Sequence, residues 1–237
     1  MRQTSKALAA LALSATLFTT SVSEASFFSY PRMLNLQVQA ARIRFDNPML
    51  APMAHVRFCL RYTDDCAVHG IDFRRRHIVL TEDRWQELNM INRRVNRNIL
   101  PQLHDGDAAL DQWYIAPAAG DCADYAVTKR HELLARGWPS RSLLLAEVVV
   151  PSGEHHLVLV VRMKDVDLVL DNLNEHIRTV AMTRYQYEWV RAESPYNPKF
   201  WSAVTVPGRV PEPMRNRKPD PMVTAMQLPA PSTMIFD

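Results

Sequence analysis

Three residues in the second half of the chain have the side chains that nucleophilic catalysis requires. Cys122 lies in the first turn of a predicted helix, where unpaired backbone N–H groups and the helix dipole favour a thiolate. A cysteine nucleophile needs a general base and a group that orients the base. His156 opens one apolar run and Asp171 closes the next, so these residue types in this order predict a Cys-His-Asp triad.

The pairing of the two apolar runs decides whether His156 can reach Asp171. A turn centred on residues 164–165 pairs residues whose numbers sum to 329, which places Val158 opposite Asp171. His156 is then a diagonal neighbour of Asp171 on the same face, about 7 to 8 Å away at the backbone. A register shifted by one residue would present His155 instead.

The acidic neighbours of the cysteine create an electrostatic conflict. Asp121 and Asp124 place negative charge beside Cys122, which opposes a thiolate unless a cation or hydrogen bonds neutralise that charge. A zinc site is a weaker alternative, because no recognisable ligand spacing connects its candidates, which are Cys122, His155, His156 and His176.

Two helices and a sheet are predicted to position these residues. After the capping residue Thr81, apolar residues recur at steps of three and four up to Pro101, which predicts an amphipathic helix. A second helix is predicted from Cys122 to Gly137, because glycine commonly ends helices. Runs rich in valine and leucine predict three consecutive antiparallel strands at residues 143–150, 156–162 and 166–171. Helices followed by such a sheet indicate the α+β class.

The first predicted helix also has a polar side. Asn89, Asn92 and Asn96 share it, either to make contacts with a nearby site or as a solvated face. Before this helix, residues 26–57 mix proline, asparagine and aromatic residues without a clear period, so no element is predicted there.

The N-terminal segment has the pattern of an export signal. Arg2 and Lys6 precede an uncharged stretch at residues 7–19, and a small-x-small site that suits signal peptidase ends at Ala25. We therefore expect cleavage after Ala25 and an exported protein. No later segment approaches the roughly 20 apolar residues of a spanning helix, so no membrane span is expected.

The chain contains three cysteines, and export would bring them into an oxidising compartment where thiols pair. Cys59 and Cys66 bracket a short, mostly polar stretch and are expected to form a disulfide. Cys122 is then left unpaired, either as a reactive thiol or as a buried, inert one.

Composition limits the remaining possibilities. The chain has 237 residues, 47% of them hydrophobic, and a net charge of +3 from 28 Lys+Arg and 25 Asp+Glu. The basic residues are scattered, so we expect no nucleic-acid partner. Residues 206–237 are rich in proline and predict an extended or disordered tail, which leaves residues 26–205 as one domain.

Several motifs together resemble the bacterial transglutaminase-like cysteine proteinases, whose best-known members are the LapG-type periplasmic proteases. The motifs that carry the resemblance are Gly120-Asp121-Cys122-Ala123-Asp124-Tyr125-Ala126 with Lys129, Gly137-Trp138-Pro139, His156-Leu157-Val158-Leu159 and Leu170-Asp171-Asn172-Leu173. Upstream, Val95-Asn96 and the segment from Asp111 to Pro117 look like elements of the same family. The resemblance covers roughly residues 80–205.

The resemblance implies a papain-like, transglutaminase-type fold in which a catalytic cysteine at a helix start packs on an antiparallel sheet. It implies Cys122 as nucleophile, His156 as base and Asp171 as the group that orients the base. It further implies a periplasmic enzyme that cuts a large surface adhesin near its N-terminal retention region, commonly at paired alanines. An inner-membrane receptor for cyclic di-GMP would sequester such a protease and thereby control biofilm attachment.

The family also uses calcium beside the active site. Asp121 and Asp124 are the acidic residues implied as ligands here, and a bound cation would resolve the charge conflict. Ala123 stands where LapG-type members usually carry a glutamate, so one expected ligand is missing. Trp113 is a candidate for lining the oxyanion site or the substrate groove, with a place in the core as the alternative.

Two other functions remain open at this level. The same fold and triad also catalyse amide transfer between glutamine and an amine. A non-catalytic periplasmic binding module with a degenerate site is the second alternative, and the complete set of Cys122, His156 and Asp171 argues against it.

Overall fold

The computed structural model describes residues 41–70, 78–102, 111–183 and 186–207. The predicted signal at residues 1–25 lies outside these ranges, and so does the predicted tail from residue 208 onwards. The predicted domain limits at residues 26 and 205 therefore stay predictions. None of the helices in the described ranges is long and apolar enough to cross a membrane.

The described residues form four α-helices and nine β-strands. In chain order they are β1 (Arg44–Met49), α1 (Met53–Arg61), α2 (Glu82–Asn98), β2 (Leu100–Pro101), β3 (Ala119–Gly120), α3 (Cys122–Ala135), β4 (Leu143–Val149), β5 (His155–Arg162), β6 (Asp167–Leu170), β7 (Arg178–Thr179), α4 (Val180–Thr183), β8 (Glu188–Glu193) and β9 (Trp201–Thr205).

Seven of these strands form one sheet in the order β1-β9-β8-β4-β5-β6-β7, with every neighbouring pair antiparallel. The short strands β2 and β3 pair in parallel just before α3. The three predicted strands correspond to β4, β5 and β6, which are consecutive and adjacent. Helices packed against an antiparallel sheet confirm the predicted α+β class.

The register of β5 and β6 agrees with the prediction. Leu159 pairs with Leu170 and Val161 pairs with Leu168, so the numbers of paired residues sum to 329. Asp171 follows β6 directly and therefore lies near the start of β5, where His156 is found. The alternative register of β5 and β6, shifted by one residue so that His155 would be presented instead of His156, is not observed.

Local capping interactions fix both predicted helices. The side chain of Thr81 accepts a hydrogen bond from the Arg84 backbone N–H at the start of α2. At the end of α3, Gly137 has a φ of +82°, a left-handed conformation that glycine adopts without a steric penalty. The adjacent Trp138 N–H donates to the Leu133 carbonyl, which closes the helix.

Both faces of the sheet are packed, which is why β4 and the middle of β5 are apolar at almost every position. One face carries Leu145, Leu157 and Leu159 and packs against buried residues of the helices. The opposite face carries smaller side chains such as Val148 and Val158. The central strands are therefore held rigidly between two apolar layers.

Residues 26–57, for which no element was predicted, contain β1 and the beginning of α1. β1 is an edge strand whose side chains are mostly exposed, and its pairing with β9 is interrupted by an irregularity between Phe45 and Pro48. Such a strand has no alternation of buried and exposed residues, which explains why its sequence shows no period.

Candidate active site

Cys122 is the first residue of α3, directly after the capping residue Asp121. As a first-turn residue it has a backbone N–H without an intrahelical acceptor. Its half-buried side chain accepts a hydrogen bond from the Leu157 backbone N–H at an N–Sγ distance of 3.4 Å. The start of α3 and the start of β5 therefore meet at the cysteine sulfur.

His156 lies between the cysteine and an aspartate. Its Nε2 lies 2.9 Å from Oδ1 of Asp171, and the ring also interacts with Cys122. Because Nε2 is engaged by the carboxylate, Nδ1 is the ring atom left for the cysteine. Burial opposes the charged imidazolium, but the hydrogen bonds and negative charge of Asp171 and Cys122 outweigh it and raise the pKa of His156 to about 10.

Asp171 is held on both carboxylate oxygens. Oδ1 accepts from His156 and from the Leu173 backbone N–H at 3.0 Å, and Oδ2 accepts from the phenol of Tyr187. Burial alone would raise the pKa of Asp171, but these hydrogen bonds hold it well below its usual range. Asn96 on α2 donates to the Asp171 backbone carbonyl at 2.9 Å, so one of the three asparagines contacts the site.

Sequence reasoning missed Tyr187. It lies in the segment between α4 and β8, is 5% exposed, and its ring centroid is 6.0 Å from that of His156. Burial and the charge of Asp171 raise the pKa of the Tyr187 phenol. Its segment has neither a helical nor a strand period, so no sequence signal placed it beside Asp171.

The two acidic neighbours of the cysteine hydrogen-bond to the backbone. Oδ1 of Asp121 accepts from the Ala123 and Asp124 N–H groups, and Oδ2 of Asp124 accepts from the Asp121 N–H, which is a capping box. Oδ1 of Asp124 accepts from the Tyr114 N–H at 2.7 Å. Hydrogen bonds therefore offset the charge that opposed a thiolate at Cys122.

The model of the bacterial transglutaminase-like cysteine proteinase family matches residues 46–208 of the chain, a segment that includes Cys122, His156 and Asp171. The chain belongs to this family. It is therefore a cysteine peptidase with a transglutaminase-like protease fold.

Three solved structures of LapG from Legionella pneumophila are also similar to this proteinase. The first has 24% identity and a TM-score of 0.40, and the match covers 46% of this chain and 62% of that one. The calcium-bound form has 23% identity and a TM-score of 0.44, and the match covers 50% of this chain and 68% of that one. The EGTA-treated form has 24% identity and a TM-score of 0.43, and the match covers 51% of this chain and 68% of that one. No curated protein matches the chain.

Asp124, one of the two carboxylates predicted as calcium ligands, is engaged by backbone hydrogen bonds in this proteinase. Both oxygens of Asp124 accept backbone N–H groups, and the residue is 2% exposed. Calcium takes six to eight oxygen ligands, whereas Ala123 supplies no side-chain oxygen. In the described ranges, the one cluster of three potential metal-binding side chains is His55, Cys59 and Cys66.

That cluster is not a metal site, because Cys59 and Cys66 form a disulfide with an S–S distance of 2.02 Å. Cys122 is the free cysteine. Of the other zinc candidates, His155 turns away to bind Glu147 and its side chain is 67% exposed. The four residues considered for zinc therefore do not gather around one point.

Trp113 lies in the core. It is 4% exposed, packs near His55 and Phe58, and its indole N–H donates to Asp111 Oδ2 at 3.2 Å. The indole N–H is thus already used by a carboxylate. This position of Trp113 agrees with the alternative of a place in the core. It does not agree with the predicted place at the oxyanion site or in the substrate groove.

Gly120 precedes the capping residue and lies against the buried Asp124. A Cβ atom at this position would lie 2.2 Å from Asp124 Oδ2, far closer than atoms can approach. Glycine is therefore required for the backbone to come close enough for the Asp121 N–H to donate to that oxygen.

Proposed function

We propose that this proteinase is an endopeptidase with Cys122 as nucleophile, His156 as general base and acid, and Asp171 as the group that orients His156. The observation that supports it is the order of interactions from Cys122 to His156 and from His156 to Asp171, the second of which is a hydrogen bond of 2.9 Å. His156 is 6% exposed and Asp171 is 2% exposed, so this chain of groups is shielded from water. Shielding strengthens electrostatic interactions between the groups.

In the first half of the reaction, the Cys122 thiolate attacks the scissile carbonyl carbon and a tetrahedral intermediate forms. The backbone N–H of Cys122, which has no intrahelical acceptor, stabilises the oxyanion. Protonated His156 then gives its proton to the leaving amine, and the C–N bond breaks. The acyl group remains on Cys122 as a thioester.

In the second half, neutral His156 takes a proton from water, and the resulting hydroxide attacks the thioester carbonyl. Collapse of the second intermediate releases the carboxylate product and the Cys122 thiolate, and His156 is protonated again. Asp171 stabilises the imidazolium and holds the ring through Nε2. No step of this scheme uses a calcium ion.

The substrate that we propose is a large surface adhesin, cut near its N-terminal retention region at paired alanines, in the periplasm. Family membership and the export-signal pattern before Ala25 support this proposal. We further propose that an inner-membrane receptor for cyclic di-GMP binds the enzyme and limits its access to the adhesin. Biofilm attachment would then depend on the balance between receptor-bound and free enzyme.

The test is cleavage of a recombinant adhesin retention segment that contains an Ala-Ala site by the mature protein. Wild type is expected to release two fragments, whereas Cys122→Ala and His156→Gln are expected to release none. The matched control is His155→Gln, because His155 is the neighbouring histidine and binds Glu147 instead of Asp171. This control is expected to cleave like wild type.

Three results would contradict the proposal. Cleavage by Cys122→Ala would exclude this cysteine as the nucleophile. Formation of a cross-linked product with a primary amine, without fragments, would show amide transfer instead of hydrolysis. Failure of Cys122 to react with a thiol-directed inhibitor would favour a non-catalytic binding module.

A further inference from the structure

Three further side chains interact with the Asp171 carboxylate besides that of His156. The Tyr187 phenol donates to Oδ2, and the guanidinium of Arg178 on β7 lies 4.0 Å from the same oxygen. The ammonium of Lys129 on α3 contributes positive potential from the helix side. Among the residues that the structure describes, these three groups and His156 are the titratable groups that act on Asp171.

Tyr187 differs from the two cations because it makes the direct hydrogen bond and because its position is fixed. Its backbone N–H donates to the Thr183 carbonyl at 2.9 Å, which anchors it to the end of α4. Gln186, the residue before Tyr187, accepts a hydrogen bond from Arg178. The phenol therefore approaches Asp171 from a segment that is tied to both α4 and β7.

A carboxylate can rotate about its Cβ–Cγ bond, and rotation of Asp171 would move Oδ1 away from Nε2 of His156. A donor on Oδ2 prevents this rotation, because it fixes the second oxygen. Burial and the charge of Asp171 raise the pKa of Tyr187, so the phenol stays protonated and remains a donor over the working pH range. The ring of Tyr187 also packs beside His156, tilted by 48°.

We propose that Tyr187 is a positioning residue of the active site, whose phenolic O–H fixes the Asp171 carboxylate so that it holds His156 against Cys122. This inference rests on the proposed function, because it assigns a role within the proposed triad. Tyr187 contacts no reacting atom and acts only through Asp171.

The test uses the alkylation rate of Cys122 by iodoacetamide, which needs no substrate and reports the thiolate. Cys122 is the free cysteine, because Cys59 and Cys66 are joined in a disulfide. Tyr187→Phe removes one hydroxyl and keeps the ring. The rate at pH 7 is expected to fall about tenfold, the effect that loss of one hydrogen bond to a charged group can have, because Asp171 no longer holds His156 against Cys122. Above pH 10 the two rates are expected to converge, because a thiol ionises there without help from an imidazolium.

Tyr125→Phe is the matched control. Tyr125 is also buried, and its hydroxyl donates to the Ile99 carbonyl at 2.6 Å, away from Asp171. We expect the control to lower the melting temperature by a similar amount and to leave the pH dependence of alkylation unchanged. If Tyr187→Phe also lowered only the melting temperature, Tyr187 would be merely structural and the proposal would be wrong.

A double-mutant cycle adds a second readout. If Tyr187 acts through Asp171, Tyr187→Phe causes no further loss of alkylation rate in the Asp171→Asn background. Additive losses would overturn the proposal, because they would show independent effects. A failure of the proposed function would be seen differently, as cleavage by Cys122→Ala, so the two outcomes are distinguishable.

Discussion

Replacing Asp124 with alanine separates the capping role of this residue from the calcium-binding role that was predicted for it. Two hydrogen bonds to a buried carboxylate are lost, from the Tyr114 N–H at 2.7 Å and the Asp121 N–H at 3.1 Å. A hydrogen bond to a charged group contributes about 1.5 to 3 kcal/mol, so we expect Asp124→Ala, which removes two of them, to lower the free energy of unfolding by about 3 to 6 kcal/mol. Domains of this kind are stable by only about 5 to 15 kcal/mol.

The assay is urea unfolding, carried out once with calcium and once with a chelator. Asp124→Asn keeps one acceptor oxygen and is expected to lose about half as much stability as the alanine variant. The matched control is Asp83→Ala, because Asp83 is exposed in the first turn of α2. An exposed first-turn aspartate interacts mainly with the helix dipole, so its loss should cost about 1 kcal/mol or less.

The capping explanation predicts that wild type and Asp124→Ala are each insensitive to the chelator. The opposite pattern would refute it. If the chelator lowered the stability of wild type to that of Asp124→Ala, and did not affect the variant, Asp124 would be a calcium ligand and its backbone hydrogen bonds would be secondary.

Three further predictions concern the same region. Gly120→Ala is expected to destabilise the fold and abolish cleavage, because its Cβ would overlap Asp124 Oδ2, and thermal unfolding with the adhesin assay measures both effects. The pKa of His156 is raised to about 10 from 6.5, so its contribution to stability is fully present below about pH 6.5 and is lost as the pH rises through 10. The difference in unfolding free energy between wild type and His156→Gln should shrink over that range. Burial lowers the pKa of Lys129 from 10.5 to about 7, so charging it opposes folding, and Lys129→Met should stabilise the protein more at pH 6 than at pH 10.5.

The parts of the site that could be predicted depend on local signals. The start of α3 follows from a capping residue, and the meeting of His156 with Asp171 follows from one short turn that sets the strand register. Both signals lie within about 20 residues of the side chains they position. For the same reason, the order of helix, β5 and β6 was sufficient to propose a triad.

The parts that could not be predicted depend on contacts between distant segments. In α1, Met53 and Leu60 are exposed while the polar His55 is buried and bonds to Glu193, 138 residues away. Its sequence therefore shows no apolar face that matches its packing. The sequence of β8 likewise does not predict a strand, because the register of its pairing with β4 shifts between Glu147 and Val148.

Hydrogen bonds within the chain offset the negative charge of the carboxylates around Cys122. Asp121 and Asp124 accept backbone N–H groups, while Asp171 accepts from one backbone N–H, from His156 and from the Tyr187 phenol. Backbone dipoles neither titrate nor dissociate, so a chelator cannot remove them. Because the pKa of His156 is raised to about 10, the imidazole stays protonated over the neutral pH range, and the activity of this proteinase should change little across that range.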